Sequence, residues 1–156
     1  MSEFMNLGNV IPDAELPEFQ RKGMAAVYQH KKMLLAFDTG TGKTFTYSGI
    51  VRGLINRNPE KKHILVIIND SIPQVPNDVA HLTRVAVETF DGTSDSLGRL
   101  RFFWGRAQII VLTMEALRIF GIVKFLFDHL PEIESFTIDE AHHCSNWDSS
   151  DTAFMV

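Results

Sequence analysis

Short apolar runs alternate along the chain with longer segments of helical patterning. The runs are rich in β-branched or aromatic residues and lack strict alternation, which is typical of strands buried on both faces. The predicted strands are Met33–Phe37, Ile64–Ile68, Val85–Thr89, Ile109–Leu112 and Phe136–Ile138. The predicted helices are Leu16–His30, Lys43–Asn56, Asn77–Leu82, Ser94–Trp104 and Met114–His129.

The repeated strand–helix order predicts an α/β fold, with an open, mostly parallel β-sheet and helices on both faces. A flexible N-terminal segment is expected at 1–13, one domain at 14–145 and a truncated tail at 146–156. The length of 156 residues, 45% of them hydrophobic, suits one domain with a real core. No apolar run reaches the roughly 20 residues that a membrane helix needs. With no secretory pattern at the N-terminus either, we expect a cytoplasmic protein without a membrane partner.

Charge and cysteine content exclude little more. The net charge of −4 gives no bulk electrostatic argument for a nucleic-acid partner. The single cysteine, Cys144, excludes an internal disulfide framework and a zinc site built on several cysteines. His142 and His143 precede it, but adjacent side chains point apart and no fourth ligand stands nearby, so a metal site is disfavoured here.

The strongest motif is a loop that follows a predicted strand and opens a predicted helix, Thr39-Gly40-Thr41-Gly42-Lys43-Thr44. Its two glycines let main-chain N–H groups turn toward phosphate oxygens, and the helix N-terminus adds partial positive charge. Lys43 can reach the β- and γ-phosphates, while the Thr44 hydroxyl can ligate Mg²⁺. The loop therefore predicts ATP and Mg²⁺ as cofactors, although Phe37 replaces the first glycine of the general pattern.

Two carboxylates, Asp139 and Glu140, follow the predicted strand Phe136–Ile138. Because ligands bind at the carboxyl ends of parallel strands, these acids are expected at the same edge as the phosphate loop. Asp139 would hold Mg²⁺ through its water shell, and Glu140 would orient and deprotonate the attacking water. Lys43 and Glu140 are thus the predicted catalytic residues. The alternative is a pair of solvated turn residues, and it is less favoured when the acids are considered together with the phosphate loop.

The two motifs resemble motif I and motif II of the superfamily 2 helicases and translocases, the group with DEAD- or DEAH-type boxes. Segment 39–44 matches motif I, and Asp139-Glu140-Ala141-His142 matches motif II. The leucine-tyrosine-glutamine style of the upstream segment 16–23 resembles Swi/Snf-like and phage or restriction-type translocases more than the RNA-dedicated group. The resemblance implies a RecA-like P-loop NTPase lobe, a coupling role for His142, and nucleic acid as partner, with DNA favoured over RNA.

Weaker matches lie between and before these motifs. The segment 16–23 is similar to the family pattern Leu-x-x-Tyr-Gln-x-x-Gly, which implies that the amide of Gln20 reads adenine; an exposed helix residue is the alternative. Segments 64–72 and 110–117 resemble motifs Ia and Ib, which implies nucleic-acid backbone contacts by Ser71 and Thr113. Plain turn residues remain the alternative, and Asn69 stands where the family usually has proline.

The resemblance implies the ATP-binding first lobe of a motor whose second lobe, with its arginine finger, is missing from this chain. We therefore expect a fragment of a longer protein with weak or no ATP hydrolase activity alone. A stand-alone nucleotide-binding or interaction module is the alternative, and other P-loop ATPases are a third reading. Phe120, Phe125 and Phe127 crowd a helical segment with few polar positions, which predicts weak self-association.

Overall fold

A computed structural model describes residues 42–140 and five residues before them, namely Glu18, Lys22, Gly23, Ala25 and Ala26, all helical. The predicted strand Met33–Phe37 and most of the predicted helix Leu16–His30 lie outside the described residues. The same holds for the expected end segments, 1–13 and 146–156, so the proposed division of the chain stays a prediction. In the described part, no helix has both the length and the apolar character to cross a membrane.

The continuous part, 42–140, alternates helices and strands. In chain order they are α1 (Lys43–Arg57), β1 (Lys62–Ile67), α2 (Val75–Thr83), β2 (Val87–Phe90), α3 (Ser96–Phe103), β3 (Ile109–Thr113), α4 (Phe120–Asp128) and β4 (Ile133–Ile138). The described strands form one sheet in the order β2-β3-β1-β4, and every neighbouring pair is parallel. The predicted parallel α/β sheet is confirmed.

Helices cover both faces of this sheet. Successive residues of a strand point to opposite faces, so each strand feeds two cores. One core joins β1 and β3 to α3 and α4, through residues that include Ile64, Val66, Leu100, Ile110, Leu112, Ile122 and Leu126. The other joins the same strands to α1 and α2, through Val51, Ile55, Leu65, Ile67, Val79, Ile109 and Val111. Burial on both faces explains why the central strands show no alternation in the sequence.

The predicted helix Met114–His129 was wrong over its first part. The structure has a 3₁₀ turn at Ala116–Arg118, and α4 begins only at Phe120. The Thr113 side-chain oxygen accepts the Ala116 N–H at 3.2 Å, which favours a turn over a continuing helix. Ile119 is then extended, at φ −82° and ψ 112°, and separates the turn from α4.

The last strand is longer than its apolar pattern indicated. β4 begins at Ile133, three residues before the predicted Phe136–Ile138, because the polar Glu134 and Ser135 obscured its start. Lys62 pairs with Ile133 and His63 with Ser135, so Glu134 is an extra residue on the β4 side. Such a bulge changes the direction of side chains locally. Here the bulge brings both Ser135 and Glu134 close to His63.

Candidate active site

The carboxyl ends of β1 and β4 meet at one edge of the sheet. Past the end of β4, the Asp139 N–H donates to the Val66 carbonyl oxygen at 2.8 Å, which extends the strand pairing by one residue. The Asp139 carboxylate then accepts the Glu140 N–H at 3.0 Å. Glu140 has a positive φ of 55°, so the chain turns sharply after the carboxylate pair. The two acids are thereby held at this edge.

The end of the phosphate loop lies at the start of α1. Gly42 has a left-handed backbone, at φ 78° and ψ 40°, which glycine adopts without steric cost. Its carbonyl accepts the Thr46 N–H at 3.1 Å and the Thr46 hydroxyl at 3.3 Å, and these bonds fix the first turn. Lys43 and Thr44 follow as the first helical residues, and the first turn carries no acid. The main-chain N–H groups at the start of a helix favour a phosphate.

The structure brings Lys43 and Glu140 together from distant parts of the sequence. The Lys43 Nζ atom lies 3.8 Å from a carboxylate oxygen of Glu140. Both side chains are partly exposed, so solvent weakens this ion pair and a more highly charged phosphate can replace the carboxylate. An ammonium and a carboxylate at this distance can therefore serve the two roles that the sequence predicted, a phosphate ligand and a base.

The residues present fit a magnesium ion held mainly by water. Within the part of the chain that the structure describes, no three His, Cys, Asp or Glu residues are grouped as metal ligands. Mg²⁺ usually keeps several waters and takes few protein oxygens, so such a group is not required. One carboxylate, Asp139, directly follows β4, and one hydroxyl, Thr44, lies in the first turn of α1. They suit the ion chemically.

The two residues predicted to contact nucleic acid differ in their surroundings. Ser71 ends a 3₁₀ turn directly after β1, is half-buried, and donates its N–H to the Ile68 carbonyl at 3.0 Å. Thr113 is fully buried at the end of β3, and its side-chain oxygen is already the acceptor for Ala116. Thr113 thus shapes its turn from inside, and its contact with nucleic acid stays a prediction.

Five predicted site residues lie outside the described residues: Gln20, Thr39, Gly40, Thr41 and His142. Their roles stay predictions. Of the predicted set, the structure therefore brings together the end of the phosphate loop and the carboxylate pair, with the Ser71 and Thr113 turns following the neighbouring strands.

A tight contact between two turns at this edge was not predicted from the sequence. Gly92, after β2, has a φ of +87°, and a Cβ there would lie 3.1 Å from the Ala116 nitrogen. The Asp91 carboxylate accepts the Thr93 N–H at 3.1 Å, and this bond lowers the pKa of Asp91. The Asp-Gly pair after a strand was the available signal for this turn. The turn after β2 therefore packs directly on the turn after β3.

The sheet is parallel and carries helices on both faces. At its carboxyl edge, a lysine at the start of a helix faces an acid that follows β4. These features are those of a P-loop NTPase lobe of the RecA-like type. The family model described as DEAD/DEAH box helicase matches residues 17–156, and the chain belongs to that family. The expectation of a superfamily 2 first lobe is thereby confirmed, and with it the assignment to ATP-binding helicases.

Solved structures support the same fold. Forty-one chains match, among them the Sulfolobus solfataricus SWI2/SNF2 ATPase core in complex with dsDNA. That match has a TM-score of 0.64 at 16% identity, and covers 93% of this chain but 36% of the other. The chain thus spans about a third of the structure it resembles, and the likeness is one of fold. A search of curated protein sequences finds no match.

Proposed function

We propose that this lobe binds ATP with Mg²⁺ and serves a motor that couples ATP hydrolysis to movement on, or remodelling of, nucleic acid. The observation that carries the proposal is the 3.8 Å approach of Lys43 to Glu140 across the sheet edge. Thr44 and Asp139 would hold the magnesium ion through oxygen ligands and water. Gln20 would read adenine, Thr39, Gly40, Thr41 and Gly42 would surround the phosphates, and His142 would couple the nucleotide to the rest of the motor.

The ion pair suggests how the site changes when nucleotide binds. Lys43 would move from Glu140 to the β- and γ-phosphates, because a phosphate carries more negative charge than one carboxylate. Glu140 would then be available to accept a proton from the attacking water. When bound, Mg²⁺ supplies charge neutralisation at the phosphate oxygens. The N–H groups at the start of α1 would hold those oxygens in place.

DNA is the partner that we favour. A protein of similar fold was solved with dsDNA. In this chain the Ser71 turn follows β1, and the joined turns at Gly92 and Ala116 follow β2 and β3, at the same edge of the sheet as the ATP site. A second RecA-like lobe would complete the motor and supply an arginine finger, which is worth roughly 10³–10⁵ in rate. We therefore propose slow hydrolysis by this chain alone. As a separate proposal, the motor works in a cytoplasmic setting and without a membrane partner.

Calorimetry with Mg-ATP tests the nucleotide site. Lys43→Ala removes a charged phosphate contact and should weaken ATP binding about tenfold or more. Lys124→Ala is the matched control, because Lys124 is also an exposed lysine in an ion pair, 2.7 Å from Asp128 on α4. Glu140→Gln should keep ATP affinity within a few fold and abolish the slow turnover.

Three results would contradict the proposal. Equal ATP affinity for Lys43→Ala and Lys124→Ala would remove the phosphate role of Lys43. Robust turnover by the isolated chain, stimulated by DNA or RNA, would refute dependence on a second lobe. If DNA leaves both ATP affinity and turnover unchanged even in the presence of a second lobe, the alternative of a nucleotide-binding module without motor activity replaces the motor.

A further inference from the structure

The end of α3 and the turn after it carry an exposed aromatic ring beside two exposed arginines. The Phe102 side chain is 55% exposed, and the Arg106 guanidinium lies 3.8 Å from the centre of its ring. Phe103 supports the same ring edge-on, with the two ring centres 5.0 Å apart. Arg101 is exposed one residue earlier. Arg101, Phe102 and Arg106 are called the arginine–phenylalanine patch below.

The patch is a region of positive charge on an acidic chain. Within the described residues, neither Arg101 nor Arg106 has a carboxylate oxygen within 4.0 Å, whereas Lys124 is paired with Asp128 at 2.7 Å. Residues 96–114 contain three arginines and no Asp or Glu, although the chain has a net charge of −4. The two guanidinium groups are therefore available to carboxylates from outside.

The patch lies at the opposite edge of the sheet from the ATP site. α3 follows the carboxyl end of β2 and returns to the amino end of β3, so Phe102 and Arg106 lie near the amino ends of the strands. The five residues of β3 separate the two edges by about 16 Å. Nucleic acid coupled to ATP hydrolysis would contact the carboxyl edge. The patch is thus placed for a different partner.

We propose that the arginine–phenylalanine patch docks an acidic segment of a partner protein. Carboxylates of that segment would bind Arg101 and Arg106, and one of its apolar side chains would pack on Phe102. Aromatic residues and arginine are enriched in protein interfaces and lysine is depleted, which is the composition of this patch. A Cβ at the intervening Gly105 would meet nothing within 4 Å, so the surface between the arginines is open to a partner.

Fluorescence anisotropy with the whole chain tests the proposal. The probe is a labelled synthetic peptide of glutamates and leucines, and a peptide of lysines and leucines serves as its charge-reversed counterpart. We expect the acidic peptide alone to bind. Arg106→Glu should raise its Kd at least tenfold, and Phe102→Ala several-fold. Arg57→Glu is the matched control, since Arg57 is an exposed arginine at the end of α1, on the other face of the sheet.

Several outcomes would overturn the docking site. These are failure of the acidic peptide to bind the wild type, equal binding of the two peptides, or an equal loss in Arg106→Glu and Arg57→Glu. Duplex DNA that binds the wild type and is lost in Arg106→Glu would assign the patch to nucleic acid instead. Unchanged thermal melting of each variant, and unchanged ATP affinity, would show that the fold and the opposite edge are intact.

Discussion

Single backbone positions control the turns at the carboxyl edge of the sheet, and a substitution at Gly92 gives the sharpest test of this control. Its φ of +87° is unfavourable for any other residue, and a Cβ would lie 3.1 Å from the Ala116 nitrogen, a main-chain atom. Gly92→Ala should therefore lower the free energy of unfolding by about 1–3 kcal/mol, measured by urea denaturation. Gly98→Ala is the control, because a Cβ on this residue of α3 meets nothing within 4 Å.

The control should move in the opposite direction. Alanine in a helix costs less conformational entropy than glycine, so Gly98→Ala should raise stability by roughly 0.5–1 kcal/mol. If Gly92→Ala unfolds at the same urea concentration as the wild type, the tight packing of the two turns is wrong. The same variant should also weaken DNA binding if the joined turns form part of the nucleic-acid surface.

The meeting of Lys43 and Glu140 was easier to predict than the packing around them. The glycine spacing indicates a phosphate loop, this loop favours a functional role for the two acids over solvated turn residues, and parallel strands place both motifs at one edge. The burial of Thr113 and the contact at Gly92 were not predicted. Both depend on how one turn packs against another, and residue types along a single segment do not report that packing.

At the level of elements, apolar periodicity predicted the described strands and helices but not all their ends. Predicted α1 ended at Asn56, one residue before its observed end at Arg57. α2 begins at Val75 and carries Pro76 in its first turn, where a missing N–H costs nothing. The start of β4 was missed because Glu134 and Ser135 interrupt its apolar pattern; Glu134 is exposed, and the Ser135 hydroxyl lies against a buried histidine on β1.

That histidine makes the β1–β4 pairing sensitive to acid. His63 is fully buried, its Nδ1 lies 2.7 Å from the Ser135 hydroxyl, and its Nε2 lies 3.9 Å from a Glu134 carboxylate oxygen. Burial, together with the nearby positive charge of Lys62, lowers the pKa of His63 from 6.5 to about 4. The unfolded chain therefore binds more protons between these values, and stability falls as the pH drops from about 6.5 toward 4.

The expected loss for this one group between pH 7 and pH 5 is about 2 kcal/mol. Urea denaturation at both pH values should show a smaller loss for His63→Gln than for the wild type, because the variant has no imidazole to protonate. His81→Gln changes an exposed histidine on α2 and should keep the loss of the wild type. Identical pH dependence in all three proteins would show that His63 does not link this strand pairing to pH.

For the whole molecule, the distribution of phenylalanine predicts an assembly property. The sequence placed Phe120, Phe125 and Phe127 together, and the structure divides them. Phe125 packs on Trp104 with ring centres 5.1 Å apart, while Phe120 and Phe127 are 78% and 53% exposed on α4. Exposed aromatic surface of this kind favours contact between molecules. We therefore expect weak, concentration-dependent self-association of the chain in sedimentation velocity experiments.

A substitution distinguishes self-association through α4 from non-specific aggregation. Phe120→Ser removes the most exposed of the three rings and should shift the sedimentation profile toward monomer at the highest concentration. Arg57→Glu, at the end of α1 on the other face, should leave self-association unchanged. The contact is apolar, so added salt should preserve it, whereas an assembly held by ion pairs would dissociate. A single monomeric species over a hundredfold concentration range, with and without ATP, would show that α4 does not mediate self-association.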